Sequence, residues 1–531
     1  MNHKIMFNLK KLFIITTMAV ISSTSFAVEK PNIVYILADD MGVGDVSALN
    51  PESKISTKYL DQLASEGVAF TDAHSGASVC TPTRYSLMTG RSSWRTELKG
   101  RVLGGYSPSM IAKDRDTVAS LAKRHGYKTA MVGKWHLGLD WQAKEGKTIE
   151  RTNGDTTVDF TKPITHGPLD LGFDYWFGPS ASWNMAPYGY IENRLLTEVP
   201  TVTVKGSNYE FEPKEVQDAI AAGVKGKHLK PIKSKYPLTK WDGGAGVKGV
   251  TVVDAMPKLT EKAVEYINQQ NKDEPFFLYM PLTAPHSPVT PNKEFLGKSK
   301  AGLYGDFVIE TDWAVGQVVK ALKEKGLYDN TLVVFTADNG TSIKGFPISL
   351  QEKYQHKTSY IYTSYKGRVQ EGGHRVPFIT SWPNGGVKAG TTSDAVISLD
   401  DLYATMADMF GEKIADNAGE DSVSMLPYLK DSSKTTTDRI LVHQSFAGDL
   451  AIRMGDWKLS YLNKKNKTRL VNLKDDIGEQ NNIIKDHPEK AEALRKTFAQ
   501  VIRNGRSTPG KKQSNEGPEV WKQIEWIKAV K

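Results

Sequence analysis

The chain has 531 residues, 39% hydrophobic and 24% charged, a composition that excludes wholesale disorder and is long enough for a large core and two or more domains. Its formal charge of +9 becomes about +6 when an N-terminal leader carrying Lys4, Lys10 and Lys11 is discounted. That excess suits an anionic substrate, while the absence of any nucleic-acid motif or basic helix argues against a nucleic-acid partner.

Residues 1–27 read as a secretory signal: the three lysines precede the apolar run Leu12 to Ile21, and small residues follow at Ser25 and Ala27. No later stretch approaches the roughly 20 apolar residues of a membrane span, and no Cys stands where a lipid anchor would need one, so an exported chain with no membrane anchor is expected, periplasmic or extracellular. Strands are expected at Asn32 to Ala38, Thr129 to Val132, Phe276 to Met280 and Leu332 to Thr336. Helical patterns lie between them at Lys58 to Glu66, Val118 to His125, Leu259 to Gln270 and Val308 to Lys325. This alternation predicts an α/β fold with a large, mainly parallel sheet sandwiched by helices. Residues 198–250 are rich in Lys, Gly and Pro, with Lys225, Lys227, Lys230, Lys233 and Lys235 close together. They read as an inserted loop region, either a solvated excursion or a rim that steers a polyanion. From Arg439 the spacing tightens: strands at Ile440 to His443, Leu450 to Met454, Trp457 to Tyr461 and Arg469 to Asn472, then a helix Pro488 to Ile502, predict a smaller antiparallel sheet with one covering helix.

In open α/β sheets the binding site lies beyond the carboxyl ends of the strands. The first and fourth strands end in Asp39-Asp40 and Asp338-Asn339. Three carboxylates and an amide oxygen make an oxygen-only set, suited to a hard cation such as calcium or magnesium rather than zinc, although either pair alone reads as a cap or turn. The other two strands lead to Lys134 and His136, in Gly-Lys-Trp-His-Leu-Gly, and to His286, in Ala-Pro-His-Ser-Pro. A lone His is ordinarily a structural hydrogen-bonder, but here Gly and Pro keep both segments out of regular core elements.

Cys80 is the chain's single cysteine, which in an exported protein has no intramolecular partner. The bland reading is a buried apolar thiol. Its surroundings argue otherwise: Cys80-Thr81-Pro82-Thr83-Arg84 runs on to Gly90 as a short helix with Pro in its first turn and Gly after its end, so the Cys stands at a helix N-terminus that favours an anion.

Together these segments resemble the formylglycine-dependent sulfatases of the alkaline phosphatase superfamily. The signature Cys-x-Pro-x-Arg is matched by Cys80, Pro82 and Arg84 and extended by Leu87, Thr89, Gly90 and Arg91. The Asp-Asp pair, Gly-Lys-Trp-His-Leu-Gly, Pro-His, Asp-Asn-Gly and Lys366 followed by Glu371, Gly372, Gly373, Arg375, Val376 and Pro377 occur in order, and the likeness runs from about Pro31 to Gly455-Asp456-Trp457-Lys458-Leu459 and Asn472-Leu473. The resemblance implies that a formylglycine-generating or radical maturation enzyme oxidises Cys80 to 3-oxoalanine (formylglycine). One hydroxyl of its hydrate, with one calcium ion per chain held by Asp39, Asp40, Asp338, Asn339 and residue 80, then attacks sulfur. Asp338 would relieve that hydroxyl of its proton, and His286, assisted by Lys366, would protonate the leaving oxygen. His136 would deprotonate the second hydroxyl, Arg84 and Lys134 would stabilise charge, and Ser182 would contact the sulfate.

These patterns divide the chain into a signal (1–27), a catalytic domain (28–435), a C-terminal α+β subdomain (436–504) and a surface tail (505–531). The segment Glu294 to Ser299 with Gly302, Tyr304, Gly305 and Asp306 is similar to the branch containing arylsulfatase A and N-acetylgalactosamine-6-sulfatase. With Trp141, Trp183 and Tyr188 expected near site loops, the expected substrate is a sulfated carbohydrate or polysaccharide. The alternatives are an arylsulfatase, a phosphate or phosphonate monoester hydrolase of the same superfamily, and a glycan-binding protein on a dead scaffold.

Overall fold

The central strands of the parallel sheet are mostly apolar runs because they are covered on both faces. In the computed structural model, which describes residues 30–151, 154–204, 243–436, 438–462 and 467–530, every residue of Asn32–Ala38, Phe276–Pro281 and Thr331–Ala337 is buried. These three strands lie side by side at the centre of a ten-stranded sheet. The sheet runs Thr391–Ser393, Val68–Phe70, Phe378–Ser381, Thr331–Ala337, Asn32–Ala38, Phe276–Pro281, Lys128–Val132, Tyr175–Gly178, Ile191–Glu192, Leu195–Leu196. The five strands from Thr331–Ala337 to Tyr175–Gly178 are mutually parallel, and antiparallel pairs flank them on both sides.

Two groups of helices cover this sheet. Lys58–Ser65, Ala255–Asn268 and Gly302–Glu324 pack together, as do Cys80–Thr89, Val118–Arg124 and Leu402–Phe410. The helix expected from Val308 begins earlier, at Gly302, and its first residues, Gly302-Leu303-Tyr304-Gly305, are buried against the core.

The C-terminal sheet is antiparallel, in the order Ile440–Gln444, Leu450–Met454, Trp457–Leu462, Lys467–Asn472, and helix Pro488–Asn504 covers it. The segment 505–531, expected as a surface tail, needs correction: Trp521, Ile524, Ile527 and Val530 are buried in this second core, and Trp521 packs on Trp94 with ring centroids 6.3 Å apart. The expected signal lies outside the described residues, as do the five clustered lysines of the 198–250 insertion. Its described ends pair as two short antiparallel strands, Val202–Val204 and Gly244–Gly246.

Candidate active site

The register of the central strands sets the site. Ala38 and Ala337 are partners, so Asp39 and Asp338 leave the sheet side by side, and the Asp338 N–H donates to Ala38 O at 3.0 Å. The loops after the other parallel strands are stitched to the same edge: Asp39 N–H donates to Ala284 O (2.9 Å), Lys134 N–H to Pro281 O (2.8 Å) and His136 N–H to Ser180 O (2.9 Å). Two non-glycine residues here take the left-handed region, Asp40 (φ 64°) and His136 (φ 60°), a costly conformation that persists where surrounding structure over-determines it. Gly133 has no alternative: at φ 141° a Cβ would lie 1.9 Å from Pro281 O.

Cys80 opens the helix Cys80–Thr89, all of it buried, which ends on Gly90 in the left-handed conformation. Its neighbour Thr81 donates from Oγ1 to His136 O at 2.9 Å, tying the helix to the Lys134–His136 loop. Lys366 arrives from a third direction; its N–H donates to Thr341 O (3.1 Å), and Gly367 N–H to Ser78 O (2.7 Å). The structure therefore brings all the predicted site residues to one sheet edge.

The side chains pair as alternating charges. Lys134 Nζ lies 2.6 Å from Asp39 Oδ2, Arg84 Nη2 lies 2.7 Å from Asp338 Oδ2, and Lys366 Nζ donates to Asp40 Oδ1 and lies 3.2 Å from Cys80 Sγ. Burial raises the Asp39 pKa, but Lys134, His286, Arg84 and Lys366 outweigh it and hold this carboxyl well below the usual range. Asp338 goes the other way: burial and the Asp39 charge push it up to about 6 against Arg84. Burial, reinforced by Asp338, also raises the Cys80 thiol, so the unmodified side chain is a protonated thiol and a poor nucleophile.

The two histidines have defined tautomers. His136 Nε2–H donates to Leu103 O (2.8 Å), which leaves the buried Nδ1 as a bare acceptor; burial, Lys134 and Arg84 keep this ring neutral. His286 Nδ1–H donates to Ser287 O (2.5 Å), so its Nε2, 3.6 Å from Asp40 Oδ2, is the free nitrogen, and burial lowers its pKa to about 4.

The oxygen set fits a cation. Asp40 Oδ2 and Asn339 Oδ1 are buried acceptors without a hydrogen-bond donor, while Asn339 Nδ2 donates to Asp40 Oδ1 at 2.8 Å and so turns its oxygen outward from that bond. Among the described residues, ligand atoms of Asp39, Asp40, Cys80 and His286 lie within 4.8 Å of one another. His286 thus joins the expected ligands in space, whereas Asp338 is engaged by Arg84 at Oδ2 and by Asp40 N–H at Oδ1 (3.1 Å).

Above Cys80 a cavity of about 1110 Å³ is lined by His136, Ser182, His286 and Lys366. Ser182 Oγ is buried there without a partner. The aromatics expected near the site are not part of this wall: Trp141, Trp183 and Tyr188 are buried in the main core, and Tyr365 and Phe446 line the cavity instead. The sulfatase family model matches residues 31 to 412, which include every predicted site residue. The chain belongs to the sulfatase family.

As a sulfatase it is a sulfuric ester hydrolase. It is 33% identical over 495 residues to the N-acetylgalactosamine-6-O-sulfatase of Bacteroides thetaiotaomicron, covering 89% of this chain and 93% of that one. It is 29% identical to human steryl-sulfatase, covering 81% and 74%. A solved sulfatase structure described under the metabolism of multiple glycosaminoglycans by Bacteroides thetaiotaomicron superposes with a TM-score of 0.74 at 32% identity, covering 89% of this sulfatase and 99% of that chain.

Glu371, Arg375 and Lys458 stand in the sequence as motif letters without a job; their geometry supplies one. Lys458, from the C-terminal sheet, donates to Glu371 Oε1 (2.8 Å), and Arg375 Nη2 donates to Glu371 Oε2 (2.7 Å), all three buried. This network clamps the C-terminal sheet onto the segment that follows Lys366. Beside it His74, His374 and His443 cluster, but the His374 and His443 rings stack with centroids 3.7 Å apart and planes 7° apart. The lone pairs of stacked rings lie in separate, nearly parallel planes, and His374 Nε2 and His443 Nδ1 are engaged by the Val369 and Ser75 carbonyls, so this cluster reads as a packing element.

Proposed function

We propose that this sulfatase cleaves sulfate esters of a carbohydrate, using residue 80 as formylglycine and one calcium ion. The observation that carries the reading is the surroundings of Cys80 Sγ, 3.5 Å from Asp39 Oδ1 and 3.2 Å from Lys366 Nζ, with the unpartnered oxygens of Asp40 and Asn339 and the bare nitrogens of His136 and His286 in the same site. Asp39, Asp40, Asp338 and Asn339 would hold the calcium, with residue 80 completing the set. The hydrated aldehyde and the ion would supply a nucleophilic oxygen and Lewis-acid polarisation.

The chain's own residues do the rest. Three carboxylates, Asp39, Asp40 and Asp338, face three cations, Lys134, Lys366 and Arg84, so a bound divalent ion leaves the site positive toward an anionic ester. Arg84 and Lys134 hold their carboxylates in place and stabilise charge on the sulfuryl oxygens. Ser182 Oγ, buried and unpartnered, donates to a sulfate oxygen. His286, its Nδ1–H fixed on Ser287 O, presents Nε2 to the leaving oxygen, and the arriving anion favours its protonated form. His136, its Nε2–H fixed on Leu103 O, takes a proton at Nδ1 from residue 80.

The N-acetylgalactosamine-6-O-sulfatase relative supports a sugar alcohol as leaving group. The relative named steryl-sulfatase makes an apolar alcohol the second reading, and Lys344, Arg368, Arg469 and Gln480 in the cavity wall weigh against it. The leader at 1–27 adds export to the periplasm or exterior, and no helix among the described residues is long and apolar enough to cross a membrane. The test is a screen of matured enzyme on defined sulfated saccharides, nitrophenyl sulfate and nitrophenyl phosphate. Sulfate release greatest from one saccharide is expected; faster turnover of the phosphate ester would overturn the reading.

A further inference from the structure

The catalytic groups form only part of the lining of the cavity. At about 1110 Å³ it exceeds the ~300–1,000 Å³ of ordinary small-molecule sites. Another part of the lining comes from three places the chemistry does not use: Lys344, Arg368 two residues beyond Lys366, and the C-terminal sheet with Phe446 and Arg469.

Phe446 sits in the turn between strands Ile440–Gln444 and Leu450–Met454 and is 46% exposed, one of few large apolar side chains so open among the described residues. Its backbone is fixed on both sides: its N–H donates to Gly367 O (3.3 Å) and its carbonyl accepts from Arg101 N–H (2.7 Å). Gly367 is the residue between Lys366 and Arg368, and a Cβ there would touch the Phe446 Cβ at 3.3 Å, so the ring stands directly beside the Lys366 segment. Arg368 is exposed, its guanidinium 5.9 Å from the Tyr365 ring centroid, and neither Arg368 nor Lys344 has a carboxylate partner among the described residues. Solvated surface cations are common, but these two line the same cavity as the open ring of Phe446. An open ring stacks on the apolar face of a sugar, and cations lining the same cavity attract an anion.

We infer that this part of the cavity is a second saccharide subsite: Phe446 stacks on the sugar next to the sulfated one, and Arg368 with Lys344 pairs with an anionic group on that neighbour. The inference rests on the carbohydrate reading and deepens it, because it makes the substrate an anionic chain rather than a lone sulfated sugar. The anion is a uronate carboxylate or a second sulfate, which the guanidinium and ammonium groups recognise alike.

The test uses matured, calcium-loaded full-length enzyme and four substrates that share one sulfated N-acetylhexosamine: the monosaccharide, and disaccharides whose second sugar is neutral, a uronic acid or sulfated. Wild type should favour one or both anionic disaccharides over the neutral one, and which of them wins identifies the source of the anion. Combined Arg368→Ala and Lys344→Ala should remove that preference, raising KM for the anionic disaccharides about tenfold with kcat within about twofold. Phe446→Ala should raise KM for every disaccharide by a larger factor than for the monosaccharide. Equal wild-type kcat/KM on neutral and anionic disaccharides, or a double variant that slows all four substrates by one factor, would overturn the subsite while leaving the carbohydrate reading standing. Turnover of nitrophenyl sulfate with no saccharide desulfated would overturn both.

Discussion

Replacing Lys134 by Met should destabilise the protein by an amount that depends on calcium. Lys134 Nζ and Asp39 Oδ2 are 2.6 Å apart, with side chains 0% and 1% exposed, so the substitution leaves Asp39 as a buried carboxylate beside Asp338 and Asp40. Breaking such a buried pair costs about 3–5 kcal/mol. With an unfolding entropy of about 2.1 cal/mol/K per residue, roughly 1 kcal/mol/K over a chain of this length, that is a fall in Tm of about 4 °C. Bound calcium would supply positive charge to the same Asp39 and offset part of the loss. Scanning calorimetry of wild type and Lys134→Met, each with excess calcium and with excess chelator, gives the four melting points needed. The full drop is expected in chelator and a smaller one in calcium, so the variant should gain more from calcium than wild type does. An equal drop in both conditions would refute the claim that Asp39 faces the ion, and no drop in chelator would refute the charge argument itself.

His286→Ala should slow a saccharide sulfate far more than nitrophenyl sulfate, because a sugar alkoxide needs the proton that a nitrophenolate does not, and general acid help is typically worth about 10² to 10⁴. Equal slowing of both substrates, measured as kcat/KM, would move His286 from acid to positioning group. A pH effect on stability is expected at the core helix Gly302–Glu324, where burial, then the nearby Glu294 and Asp254 charges, raise Glu310 to about 8 against an unfolded value of 4.5. The folded protein therefore binds a proton that the unfolded chain releases, so this contribution is complete below about pH 4.5 and is lost as pH rises through about 8. Glu310→Gln should accordingly melt higher than wild type at pH 8 and not at pH 4; a constant difference across that range would show that the carboxyl is not the titrating group.

Much of the site was legible because it is coded locally. A doubly covered parallel strand must be apolar throughout, so the polar residues that end it, Asp39, Asp40, Asp338 and Asn339, stand out, and Pro82 and Gly90 mark the ends of the Cys80 helix. The edges were not legible: Val68–Phe70 and Ile191–Glu192 are too short to show a period, and they are placed by their partners rather than by their own pattern. Trp141, Trp183 and Tyr188 misled because an aromatic in irregular chain can face a cavity or a core, and only the packing decides. Trp521, Ile524 and Ile527 fall at helical spacing in a segment otherwise dominated by Lys, Gly and Pro, which hid their burial against Trp94. The cavity wall of Lys344, Arg368 and Phe446 had no sequence signal, since three segments distant in the chain meet there.

On the proposed mechanism residue 80 acts as an aldehyde and not as a thiol. Mass spectrometry of the peptide containing residue 80, run on preparations matured to different extents and set against their rates of sulfate release, tests it most directly. The rate should rise in proportion to the aldehyde fraction and extrapolate to zero with the thiol intact, and Cys80→Ala should release no sulfate while keeping its fold. Undiminished turnover from protein whose Cys80 is wholly unmodified would contradict the account.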